Sequence, residues 1–86
     1  MKISLEKARI LADEEVKRLG KENNDDFIIL DNLTIEKNNG WLFFYNTRDF
    51  FLSGNVVDSL VGNGPIFVSH DGLLTRLPSS QHWKDS

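Results

Sequence analysis

The side chains best suited to chemistry in this chain are few. His70 and His82 are the only histidines, and Ser53, Ser59, Asp49 and Asp58 are the serines and carboxylates with which either would have to build a nucleophilic triad. No nucleophile-elbow spacing surrounds the serines, and both histidines fall in segments expected to be exposed. The pair His70-Asp71 offers two ligands where zinc needs three or four, so it reads as a turn. The sequence therefore predicts no catalytic residue, no metal site and no cofactor.

Gly62-Asn63-Gly64-Pro65 invites comparison with phosphate-binding loops, whose backbone N–H groups approach an anion. It lacks the Lys-Ser/Thr ending of a P-loop and the spacing of a dinucleotide fold, and Pro65 leads into a predicted strand instead of a helix. Proline has no N–H to donate and suits the first position of a strand, while the glycines permit backbone angles that a side chain forbids. A structural turn is the reading that fits. The carboxylates Asp13-Glu14-Glu15 fall on a helix surface and Glu22, Asp25 and Asp26 in a loop, where charges are solvated by default or face a basic partner.

The elements that must position these residues belong to one domain, because 86 residues supply enough chain for one modest core. An apolar fraction of 40% and a charged fraction of 27% are ordinary for globular proteins, and a net charge of −3 argues against nucleic acid as a partner. Without cysteine there is no disulfide framework or thiolate metal site, which fits a reducing compartment. The N-terminus becomes charged at once, and nothing approaches the roughly 20 apolar residues of a membrane span, so a cytoplasmic location without membrane association is expected.

The expected fold is α+β: an N-terminal helix packed on a four-stranded antiparallel sheet of two hairpins, with a long apolar connector. The helix runs from about residue 4 to 19, with Ser4 as N-cap and Gly20 placed to close it in a left-handed conformation. Leu5, Ala8, Leu11, Ala12, Val16 and Leu19 recur at three-and-four spacing and form the face turned to the sheet. The first hairpin spans about 27–46. Phe27 to Glu36 reads as a strand bulged near Asp31-Asn32, and Asn38-Asn39-Gly40 turns it tightly into Trp41 to Asn46. Trp41, Phe43 and Tyr45 project to one face and Leu42 and Phe44 to the other, so this strand belongs at the sheet centre.

Residues 47–65 form the connector, too apolar for a solvated loop, with a short helix expected near Val56 to Leu60. The second hairpin covers 66–77 and turns at His70-Asp71-Gly72; residues 78–86 are a polar tail containing Trp83, which either docks on the sheet or stays exposed for a partner. The second apolar face can be capped internally, by a symmetric copy of the chain or by another protein, and all three leave the same pattern.

Thr34-Ile35-Glu36-Lys37, Gly40-Trp41-Leu42-Phe43-Phe44-Tyr45-Asn46, Gly54 and Leu60-Val61-Gly62-Asn63-Gly64-Pro65-Ile66-Phe67-Val68 follow one another in the order and spacing of a known pattern. That pattern resembles the immunity protein 35 family, which includes the YrhB-type proteins. The leading helix and Asp71-Gly72 are also similar, whereas the C-terminus departs from the short acidic helical ending expected of the family. The resemblance implies a non-enzymatic bacterial protein that binds a cognate polymorphic toxin and blocks its active surface. A YrhB-type relative implies the alternative, a small stress-related protein binding unfolded clients through apolar surface around Phe50, Phe51 and Leu52. On the immunity reading, Glu36, Arg48 and Asp49 are the chosen partner contacts, followed by Asp25 and Asp26, because charges held beside ordered structure are preorganised. Gly40, Trp41, Phe43, Gly62, Asn63, Gly64 and Pro65 match the family pattern and are assigned to folding.

Overall fold

A computed structural model describes residues 2–54 and 64–77 of the chain. Helix α1 covers Leu5–Glu22; the strands are β1 (Phe27–Ile29), β2 (Ile35–Lys37), β3 (Gly40–Phe43), β4 (Tyr45–Thr47), β5 (Ile66–Ser69) and β6 (Leu74–Arg76). A 3₁₀ turn, Asp31–Leu33, separates β1 from β2, and a second helix, α2 (Arg48–Ser53), follows β4. The short helix expected near Val56 to Leu60, Gly62 and Asn63 of the turn, His82 and the tail with Trp83 lie outside the described residues.

The Ser4 hydroxyl accepts the Lys7 N–H at 3.1 Å and starts α1. Ala8, Ala12, Val16 and Leu19 are buried against β1, β3 and β5. With alanines at two of those positions, little side-chain bulk holds the helix off the sheet. Leu5 departs from the expected stripe and is half-exposed. The helix also runs past Gly20 to Glu22, and the positive φ falls on Asn24, at 52°. Gly20 serves a different need: it is buried, and a Cβ there would come within 2.8 Å of the Asp25 carbonyl oxygen as the chain returns toward β1.

The α+β class holds, but the sheet is more divided than two simple hairpins. β2-β3-β5-β6 form a four-stranded antiparallel sheet, with β3 and β5 inside it, while β1 and β4 form a separate two-stranded ribbon. The registers explain the division. Ile29 pairs with Tyr45 and Ile35 with Leu42, so five residues on the first segment face two on the second. The expected bulge is therefore an insertion of three residues, which the 3₁₀ turn accommodates.

Beneath α1 the core joins Phe27, Ile29, Trp41, Phe43, Tyr45, Ile66 and Val68. Burying each large apolar side chain contributes about 1.5–3 kcal/mol before entropy is counted. On the opposite face Leu42 is 2% exposed, with Ile35 and Phe67 as its register partners. Close packing fixes Gly40, where a Cβ would collide with the Val68 carbonyl oxygen and reach 2.7 Å from the Phe67 ring. Both sides of β3 are thus filled.

Candidate functional site

Asp26 and Arg48 are 22 positions apart and meet at the end of the β1–β4 ribbon. The pairing of Phe27 with Thr47 brings them side by side. The Arg48 N–H donates to the Asp26 carbonyl at 2.8 Å, and its guanidinium Nε donates to Asp26 Oδ2 at 2.5 Å. Just upstream, the Asp25 carboxylate accepts the Asp26 N–H at 2.7 Å, while the Asp25 N–H donates to the Gly20 carbonyl. These bonds hold a sharp turn between α1 and β1.

Thr47 connects the ribbon to α2. It is buried, and its hydroxyl accepts the Phe50 N–H at 3.0 Å, satisfying a donor at the start of the helix. Asp49 lies in the first helical turn, where a carboxylate is favoured by the backbone dipoles. Gly54 closes the helix with φ of 70°, and its N–H donates to the Phe50 carbonyl. The helix presents Phe51 and Leu52 outward, 57% and 72% exposed.

Asp25, Asp26, Arg48 and Asp49 therefore lie at one end of the ribbon, all exposed, next to two exposed apolar side chains. Asp26 alone is bonded to the guanidinium, and with Asp25 and Asp49 the four side chains carry a net negative charge. Such a surface suits a protein face that combines basic groups with an apolar recess, because opposite charge steers encounter and buried apolar anchors supply affinity. Glu36 is not part of it. That residue is the register partner of Trp41 on edge strand β2, in the other sheet.

The family-pattern residues within the described range lie in structural positions. Trp41 and Phe43 are core side chains, Gly40 permits the close approach of β5, Gly64 is half-buried, and buried Pro65 accepts the Leu77 N–H through its carbonyl at 3.0 Å. His70 is half-buried where exposure was expected, because its ring packs edge-on against Trp41 with centroids 4.9 Å apart. Its backbone also accepts the Ile3 N–H and donates to the Asn39 carbonyl, so the residue ties the N-terminal segment to both turns. Among the described residues no three His, Asp or Glu groups converge as metal ligands, and no helix is long and apolar enough to cross a membrane.

Sequence reasoning missed α2. Its signals were present: a threonine before Arg48-Asp49 is a standard N-cap arrangement, and Gly54 is a standard stop. They flank an apolar run, Phe50-Phe51-Leu52, that reads as part of a connector.

A search of curated proteins and a search of solved structures each find no match. The family model described as immunity protein 35 matches residues 8–86, which takes in α1 from Ala8 onward, α2 and the strands β1 to β6. The chain belongs to the immunity protein 35 family.

Proposed function

We propose that this protein neutralises a cognate polymorphic toxin by binding it and covering its active surface, without turnover, in the cytoplasm of the producing cell. Family membership supports the immunity role, and the structural observation that carries the binding reading is the ion-paired, acidic end of the β1–β4 ribbon beside Phe51 and Leu52. A backbone bond and a side-chain bond fix Arg48 on Asp26, so the charges are held before a partner arrives. The toxin face would be basic, with an apolar recess for α2.

Co-expression with a candidate toxin domain from a neighbouring reading frame tests this reading. Growth should be rescued by the natural chain and lost with the double variant Asp26→Lys/Asp49→Lys, whose fold is retained by circular dichroism. Rescue by the double variant at undiminished strength would refute the assigned surface.

The YrhB-type alternative, chaperone-like binding of unfolded clients, draws on the same exposure of Phe51 and Leu52. Two side chains on a six-residue helix with a charged rim suit one shaped partner better than many unrelated clients. Suppression of aggregation of several unrelated denatured proteins, with no rescue from the toxin, would favour the alternative.

A further inference from the structure

A second feature lies away from the ribbon end. Between the first turns of α1 and the 3₁₀ turn is a groove of about 560 Å³, with Phe43, Leu5 and Thr34 among its walls and Glu6, Arg9 and Asp31 around its rim. The volume falls within the range of about 300–1,000 Å³ typical of ligand pockets. The inserted 3₁₀ residues and the helix are joined across one side by a two-pronged ion pair: Arg9 Nε and Nη2 donate to the two Asp31 oxygens at 2.7 and 3.0 Å. That bond holds the guanidinium's pKa above its ordinary value. It also accounts for Leu5, which is 50% exposed although it continues the apolar stripe of α1: the side chain borders the groove instead of the core.

The rim favours cations. Arg9 offsets Asp31, which leaves Glu6 as the remaining charge on the rim; Glu36 does not line the groove but stands just beyond it, on edge strand β2 two positions after the lining residue Thr34. Among the described residues neither Glu6 nor Glu36 has an ion-pair partner. A second copy of this chain is a poor occupant, because two molecules of net charge −3 would meet through acidic rims. We propose, resting on the partner-binding reading above, that this groove is a second anchor site taking one aromatic or large aliphatic side chain of a protein partner flanked by lysine or arginine. The apolar walls exclude water from the anchor, and Glu6 and Glu36 select its basic neighbours.

Three capped peptides separate the elements of the proposal: Lys-Phe-Lys, Glu-Phe-Glu and Lys-Ala-Lys, each titrated into isotope-labelled protein and followed by amide NMR shifts. Lys-Phe-Lys should move the amides of Leu5, Glu6, Arg9 and Thr34, bind about fivefold more tightly than Glu-Phe-Glu, the upper end for an exposed ion pair, and bind more tightly than Lys-Ala-Lys, which lacks the anchor. Glu6→Lys/Glu36→Lys should remove that preference, while Asp26→Lys/Asp49→Lys should leave it intact. Equal binding of the three peptides, or shifts confined to other residues, would overturn the proposal. So would peptide-independent shifts of the groove amides that grow with protein concentration, the mark of a second copy. The growth rescue assay reads the ribbon end and this titration reads the groove, so failure of one reading is distinguishable from failure of the other.

Discussion

Arg48 is bound to Asp26 twice, through a backbone N–H to carbonyl bond of 2.8 Å and through a guanidinium to carboxylate contact of 2.5 Å. The first bond extends the β1–β4 ladder by one rung, and the second lies on the surface, with both side chains more than half exposed. A fold-holding backbone bond and a surface side-chain bond are thereby separated at a single pair of residues. The backbone bond survives any side-chain substitution that keeps the strand, whereas the charges are available for another molecule.

Asp26→Ala should accordingly cost less than about 1 kcal/mol of stability, the ordinary value of an exposed ion pair. Urea denaturation checks this. A loss of several kcal/mol would show that the side-chain pair holds the ribbon together, and binding defects in the variant would then say nothing of an interface.

Trp41 and Gly40 are constrained in opposite ways, one by the bulk it supplies and the other by the bulk it excludes. Trp41 is 7% exposed within the core beneath α1, so Trp41→Ala should cost about 3–5 kcal/mol. Gly40→Ala adds one methyl group where the Val68 carbonyl and the Phe67 ring already stand, and overpacking of this kind costs about 1–3 kcal/mol or more. Thermal unfolding of the two variants should show both transitions lowered, Trp41→Ala the further.

The prominence of Trp41 and Gly40 in the sequence follows from the same facts. A strand with aromatic residues on one face and Leu42 on the other reads as central because alternation reports burial on each side, and β3 is internal to its sheet. The tight turn at Asn38-Asn39 was legible, since it closes Lys37 onto Gly40, but the left-handed angles that asparagine and glycine were expected to supply there do not occur: none of Asn38, Asn39 and Gly40 has a positive φ. The division into two sheets was not legible, since a three-residue insertion at Asp31–Leu33 looks in sequence like a bulge of one. The helix end was misplaced because a glycine signals both a left-handed stop and a close approach, and Gly20 serves the second. The groove was illegible altogether: Arg9 and Asp31 carry no local signal of the contact they make across 22 positions.

Gly54 offers a cleaner test of local order. Its φ of 70° is the left-handed conformation, and a Cβ there would meet nothing within 4 Å, so Gly54→Ala imposes only backbone strain, about 1–2 kcal/mol. Amide exchange should quicken in α2 while β3 and β5 keep their protection. Uniform loss of protection would instead tie α2 to the global stability of the fold.

Acid should weaken the ion-pair cluster that Glu15 forms with Arg18 on α1 and, more weakly, with Arg76 on β6. The Glu15 carboxylate accepts from Arg18 at 2.5 and 2.9 Å and lies 3.7 Å from Arg76. The Arg18 hydrogen bond holds the Glu15 pKa below the ordinary glutamate value, against the opposing effect of burial. The folded chain thus takes up this proton less readily than the unfolded chain. The resulting stabilisation is complete above the unfolded pKa and drains away as pH falls through it toward the folded value. Between about pH 5 and 3 the natural chain should lose more stability than Glu15→Gln, and high salt should narrow the gap because Arg18 is half-exposed. An identical pH profile for the two proteins would remove Glu15 from the acid response.

Isothermal titration of the purified chain with its candidate toxin domain, sought in the neighbouring reading frames, tests the central claim most directly. The account predicts one-to-one binding that silences the toxin while leaving it chemically unaltered, with affinity lowered at least about tenfold by Asp26→Lys/Asp49→Lys at unchanged melting temperature. Undiminished affinity in that variant, or inactivation through covalent change to the toxin, would contradict it.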